Sequence, residues 1–227
     1  KVYTAGDVKS EVSIQSISKV FTMAKVMEES GPDAIANTIG VDATGMRFNS
    51  IVSIELSQKA LGGPEMNALV NPGAIAATSM VKGATRDEVW KSILGYYSDF
   101  AGRPLSVNQE VFKSEADTNQ RNQAIGYLMY AYGYIKANPM QATDVYTEQC
   151  SVSVSAKDLA LMAGTLANAG KNPVTGKQVM KSDNVPKVLA VMATAGLYDD
   201  SGKWFFRTGL PGKSGVGGGL IAVSPGK

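Results

Sequence analysis

The sequence predicts an α+β fold in which a helix-rich middle is closed by short antiparallel strands near the two chain ends. Three observations point there. Apolar residues recur at helical spacing in segment after segment between about Ile17 and Ala195. The convincing strand candidates are few and lie towards the termini. No repeat, low-complexity tract or linker divides the 227 residues, which fit a single domain with ample core.

Taken in order, Lys1-Val2-Tyr3-Thr4-Ala5 is β-prone and Gly6-Asp7 turns the chain. Ile17, Val20, Phe21, Ala24 and Met27 follow helical spacing until Gly31-Pro32 stops the helix. Pro32 opens a short second helix through Ile39, ended by Gly40. Ala43 to Leu69 reads mostly as loop, with Ser50 to Leu56 undecided between strand and helix. Asn71-Pro72 has the form of an N-cap and a first-turn proline, ahead of a small-residue helix over Gly73 to Val81. Thr85-Arg86-Asp87-Glu88 is a capping-box pattern before a helix carrying Val89, Ile93, Tyr96, Tyr97 and Phe100.

Ser106 to Phe112 reads as a short helix and Lys113 to Thr118 as a polar loop. A strong helix is expected from about Asn119 to Ala137, broken at Asn138-Pro139, and another from Met140 to Cys150. Ser155-Ala156-Lys157-Asp158 opens a helix that ends near Asn168-Ala169-Gly170, and a last helix spans about Val185 to Ala195. Trp204 to Thr208 and Leu220 to Ser224 complete the strand candidates. The expected layout is one domain over 1–227, with a helical lobe at roughly 30–195 and a sheet from the terminal segments. Three short strands make a marginal sheet, so the chain reads as the interior of a longer one.

Composition narrows the chemistry. Apolar residues make up 44% and charged residues 19%, which is a folded globular balance. A net charge of +2 with scattered lysines gives no basic patch for nucleic acid. No apolar run approaches the roughly 20 residues that span a bilayer, and no stretch reads as a signal peptide. One cysteine, Cys150, fits a reducing compartment, so a cytoplasmic protein is expected. With no histidine, neither a Ser-His-Asp triad nor a plausible zinc site can form, and no metal or other cofactor is expected. The glycines from Gly215 to Gly219 match a dinucleotide fingerprint only loosely and lead into a strand rather than a helix.

Ser16 and Lys19 lie three residues apart where the first long helix begins, so both fall on one helix face. A serine hydroxyl attacks poorly until a base takes its proton, and without histidine the available base is lysine. The helix N-terminus also favours developing negative charge there. Spacing alone is weak, because about one Ser-x-x-Lys match is expected by chance in a chain this long. Ser224-Pro225-Gly226-Lys227 is one, and its proline bars a helical geometry. Lys213-Ser214-Gly215 before a strand makes the difference. In Ser-Lys acyl enzymes such a strand lies beside the nucleophile and supplies an N–H for the oxyanion. Both motifs together indicate a β-lactamase-like fold.

Further stretches extend the pattern: Gln15 through Lys19, Gly45 with Phe48-Asn49-Ser50, and Val70 through Ile75. Ser114-Glu115, Arg121 through Ile125, Tyr146, Cys150-Ser151, Leu166-Ala167-Asn168, Gly196-Leu197-Tyr198 and Gly209 through Gly219 follow in order. Together they resemble the serine-dependent glutaminase family of bacterial type along nearly the whole chain.

The resemblance implies that Ser16 attacks the side-chain amide of L-glutamine, with Lys19 as base and Tyr198 contacting the serine and relaying its proton. It implies an oxyanion hole from the N–H groups of Ser16 and Val216. Asn71, Glu115, Asn122 and Tyr146 fall on positions that hold the amino-acid end of the substrate. Gln15, Lys213, Ser214 and Gly215 support the site, with Lys213 a candidate neighbour that lowers the Lys19 pKa. Family members assemble as dimers of dimers, so a homo-oligomer, dimer or tetramer, is expected. They also carry an N-terminal Tyr-Ile-Pro segment and further C-terminal strands, so the chain is expected to be trimmed at both ends. Two alternatives remain at this level: a penicillin-recognising acyl-serine hydrolase, and a silent homologue serving assembly or binding. Against the first stands the expectation that the Ser-Asp-Asn element of that group is missing here.

Overall fold

A computed structural model describes residues 2–57 and 66–225. Lys1, the part of the expected Ala43–Leu69 loop at 58–65, and the last two residues of the Ser224–Lys227 match lie outside the described residues.

The described chain is helix-rich with two small antiparallel ladders, as the α+β reading requires. Strand β1 (Glu11–Ser13) pairs with β2 (Ser153–Ser155), Val12 opposite Val154. Strand β3 (Gly212–Ser214) pairs with β4 (Leu220–Ala222), Lys213 opposite Ile221. Strands near the two ends thus belong to separate ladders, and the N-terminal one takes its partner from mid-chain. Ile14 N–H extends that first ladder to the Val152 carbonyl at 2.8 Å. The β-prone residues 2–5 form no strand and are exposed; the strand is polar Glu11–Ser13, which propensity does not mark.

Helix α1 (Ser18–Ser30) is the central element, buried on every side from Ser18 to Met27. It packs on α2 (Pro32–Thr38), α4 (Asn71–Met80), α5 (Arg86–Ala101) and α10 (Val185–Ala195). Phe21 meets Phe100 at 4.9 Å and Tyr97 at 6.0 Å between ring centroids. The undecided stretch Ser50–Leu56 resolves to α3 (Val52–Leu56).

Several boundaries move for local reasons. Asn108, not Ser106, starts α6 (Gln109–Asp117), because its side chain accepts from Glu110 N–H and Val111 N–H. Most of the expected loop Lys113–Thr118 is therefore helical, and Glu115 stands on a helix. Helix α7 (Gln120–Ala131) stops well before Ala137, with Gly133 at φ +79°. Helix α8 (Pro139–Cys150) is capped by Asn138. Helix α9 (Ala156–Ala167) carries the full Ser155/Asp158 capping box. Thr85 caps α5 through Glu88 N–H, while the Glu88 carboxylate reaches Ala84 N–H instead of closing the box.

The expected strand Trp204–Thr208 is instead helix α11 (Ser201–Thr208). The aromatic run does not alternate between inside and outside: Phe205 and Phe206 are both exposed, while Trp204 donates to the Leu210 carbonyl at 2.8 Å. Gly209, in the left-handed region at φ +66°, ends the helix and releases the chain into β3.

Strand β3 lies directly against the end of α10. A Cβ on Gly196 would run into the Gly212 carbonyl. Gly196→Ala is expected to cost about 2 kcal/mol by overpacking this contact and to displace β3. Urea unfolding measures the first effect and faster amide hydrogen exchange in β3 the second; unchanged stability would mean the contact is loose.

Candidate active site

Ser16 sits in a turn of 3₁₀ helix over Gln15–Ile17, immediately ahead of α1. Gln15 adopts φ +50°, unusual for a residue with a side chain, and this swings Ser16 towards a cavity of about 420 Å³. Among the described residues no side chain caps this turn or α1, so the N–H groups at this end are not consumed by capping. The Gly215–Gly219 hairpin turn packs on the opposite side, close enough that a Cβ on Gly217 would strike the Ser13 carbonyl. Ser16, Ser214, Gly215 and Val216 all border the cavity.

The Ser16 hydroxyl and the Tyr198 phenol border the same cavity, and Ser16 is among the neighbours that hold the phenol's pKa down. Lys19 donates to that phenol at 3.2 Å and to Asn71 Oδ1 at 2.7 Å. Helical spacing predicts direct contact between Lys19 and Ser16; the hydrogen-bond partners of the Lys19 ammonium are instead Asn71 and Tyr198. Lys19 is 1% exposed, which excludes a solvated helix face. Lys213 is fully buried, donates to the Ser214 carbonyl at 2.7 Å and lies 4.2 Å from the Tyr198 ring centroid. Tyr198 itself is held at φ +54°, with Ser201 Oγ donating to its carbonyl at 2.7 Å and Phe48 stacked 5.2 Å away.

The electrostatics follow from this crowding. Burial works to raise the Tyr198 phenol, but Lys19 and Lys213 outweigh it and bring the pKa down to about 8. Burial pushes the Lys213 ammonium down to about 8, and the charge of Lys19 adds to that. Burial raises Tyr146 well above its ordinary value, so it stays a phenol and donates to Asn71 Oδ1 at 3.2 Å.

Asn71 is the hub of the cavity wall. It is the first residue of α4 rather than its cap, and its side chain is spent elsewhere. Its oxygen accepts from Lys19 and Tyr146, and its nitrogen donates to Asn122 Oδ1 at 3.0 Å. Glu115 faces it across the cavity, holding the Gln15 amide at 3.3 Å; Gln15 also donates to Ser13 Oγ at 3.1 Å. Gln15, Ser16, Asn71, Glu115, Asn122, Tyr146, Tyr198, Ser214, Gly215 and Val216 thus converge on one space, with the two lysines behind it. Among the described residues no cluster of acidic or thiol groups suits a metal ion, and no helix is long and apolar enough to cross a membrane.

Among the described residues, four that border the cavity escaped the sequence reading as site residues: Phe48, Asn119, Thr147 and Cys150. Cys150 lies one turn beyond Tyr146 on the same helix face, and Thr147 one turn before Cys150, so helical periodicity could have found Cys150 first. Ser18 contacts Cys150 Sγ at 3.8 Å and is buried, away from the cavity. A Ser-Asp-Asn tripeptide, expected to be missing, does occur at Ser182–Asn184. It forms the turn that leads into α10, with Asn184 donating to Glu28 at 2.5 Å, and does not border the cavity.

A family model described as glutaminase matches residues 1–227. A glutaminase of Colwellia psychrerythraea is 52% identical over 227 residues, covering all of this chain and 72% of that protein. The solved structure of probable glutaminase ybaS superposes with a TM-score of 0.96 at 46% identity, over 100% of this chain and 72% of the other. The structure of Mglu in its glutamate form gives 0.89 at 34% identity, over 98% of this chain and 50% of the other.

Proposed function

Because the chain belongs to the glutaminase family, we propose that Ser16, Tyr198 and Lys19 carry out the hydrolysis of L-glutamine through a γ-glutamyl-serine intermediate. The overall reaction is that of the family: L-glutamine and water give L-glutamate and ammonia. The observation that carries the assignment is the hydrogen bond from Lys19 to Tyr198 beside Ser16, at the edge of a cavity that also holds Glu115 and Asn122.

In this reading Ser16 Oγ bonds to the side-chain amide carbon while its proton passes to Tyr198, with Lys19 one bond further along the relay. The carbonyl oxygen gains the charge and is met by the N–H groups of Ser16 and Val216. Collapse breaks the C–N bond, and the proton goes to the departing nitrogen to give ammonia. Water then adds to the ester, returning a proton to Ser16 and releasing glutamate. The Glu115 carboxylate suits the substrate ammonium, and Asn71, Asn122 and the Tyr146 phenol suit its carboxylate. The charges of Lys19 and Lys213 lower the Tyr198 pKa, which makes available the phenolate that accepts the proton.

Acid quenching during turnover, followed by peptide mass mapping, is expected to find a glutamyl adduct on Ser16. An adduct on another side chain would overturn the assignment. The whole segment 1–227 acts as one catalytic domain in a homo-oligomer, dimer or tetramer, in the cytoplasm. Resemblance to the family supports the assembly, and the single cysteine supports the compartment.

A further inference from the structure

Asn119 occupies the N-cap position of α7, a place where an asparagine ordinarily caps its helix, yet its side chain makes no cap bond. It is committed elsewhere. Thr147 Oγ1 donates to the Thr143 carbonyl at 2.8 Å, which spends its one hydrogen. Towards Asn119 it can only accept, so the atom facing it at 3.1 Å must be the amide nitrogen. The amide oxygen in turn accepts from Gln123 Nε2 at 2.6 Å. Both ends of the amide are thereby fixed and it cannot flip.

An amide nitrogen carries two hydrogens. One goes to Thr147; the other has no partner among the described residues, and the residue borders the cavity on the stretch between Glu115 and Asn122. A locked N–H donor cannot receive an ammonium group, but it can receive a carboxylate. We infer that Asn119 is a further substrate-positioning residue, whose second Nδ2 hydrogen binds the α-carboxylate of glutamine and of the product glutamate. This inference rests on the glutamine reading above. Thr147 acts through it, by setting the direction of the amide.

The test uses the full-length enzyme and its Asn119→Ala, Asn119→Asp and Thr147→Val variants. Asn119→Ala is expected to raise KM for glutamine and the inhibition constant of L-glutamate together, each about tenfold, with kcat within about twofold. Asn119→Asp, which places a like charge there, raises both further, and Thr147→Val gives a smaller rise. Inhibition by 4-aminobutanoate, which keeps the amine and the γ-carboxylate but has no α-carboxylate, stays as in the parent. The inference is overturned if KM is unchanged, if kcat falls in its place, or if 4-aminobutanoate inhibition weakens in step with that of glutamate. A parent that does not hydrolyse glutamine would instead overturn the functional reading; an active parent matched by Asn119→Ala removes this inference alone.

Discussion

Ser16→Ala is expected to release ammonia from glutamine about 10⁴-fold more slowly than the parent, at unchanged fold. The substitution deletes one half-buried hydroxyl that borders the cavity beside Tyr198. It leaves Gln15, Lys19 and the Gly215–Gly219 turn in place, so little stability is at stake. Circular dichroism and a thermal melt check the fold, and a coupled ammonia assay reads the rate. Equal rates for parent and variant would remove Ser16 as the nucleophile. The same measurement bears on the two alternatives: neither a penicillin-recognising hydrolase nor a silent homologue releases ammonia from glutamine in a Ser16-dependent way.

Tyr198→Phe carries the second large effect. The ring is retained, and with it the stacking on Phe48 and the approach of Lys213. What goes is the hydroxyl that accepts from Lys19 beside Ser16, so kcat is expected to fall by about 10²–10³. The pH profile gives an independent reading. Tyr198 and Lys213 both titrate at about 8 and face each other, so one acid limb near that pH belongs to the pair. The form that takes the Ser16 proton is the deprotonated one, and parental activity therefore rises with pH through the limb and levels above it. The attraction of Tyr198 holds the Lys213 pKa up against burial and Lys19. Without the phenol that support is lost, and the residual activity of Tyr198→Phe should show its limb at lower pH. A variant with parental kcat and an unmoved limb would exclude Tyr198 from the proton path.

Much of this was legible in the sequence because it is local or compositional. The missing histidine left lysine as the base for a serine, and Lys213-Ser214-Gly215 before a strand named the second wall of the cavity. The Ser155/Asp158 capping box and the helix over Val185–Ala195 follow from neighbours within a turn or two, and both stand where the pattern put them. The stretch Trp204–Thr208 shows the limit of such reasoning. Its aromatic residues favour a strand in isolation, but its tertiary setting leaves Phe206 in solvent and seats Trp204 on the Leu210 carbonyl, which a helix permits.

The order of contacts in the site was decided by the tertiary structure alone. Helical spacing fixes which way a Cβ points; it does not fix where the end of a long lysine side chain comes to rest. Lys19 takes its partners from Asn71 and Tyr198, 52 and 179 residues away. The left-handed turn at Gln15 sets Ser16 ahead of α1 rather than within it. Tyr198 fills the space so created, held by its own left-handed backbone and by Ser201. Sequence determined that a serine and a lysine belong to one site, and packing across the chain determined that a tyrosine joins them.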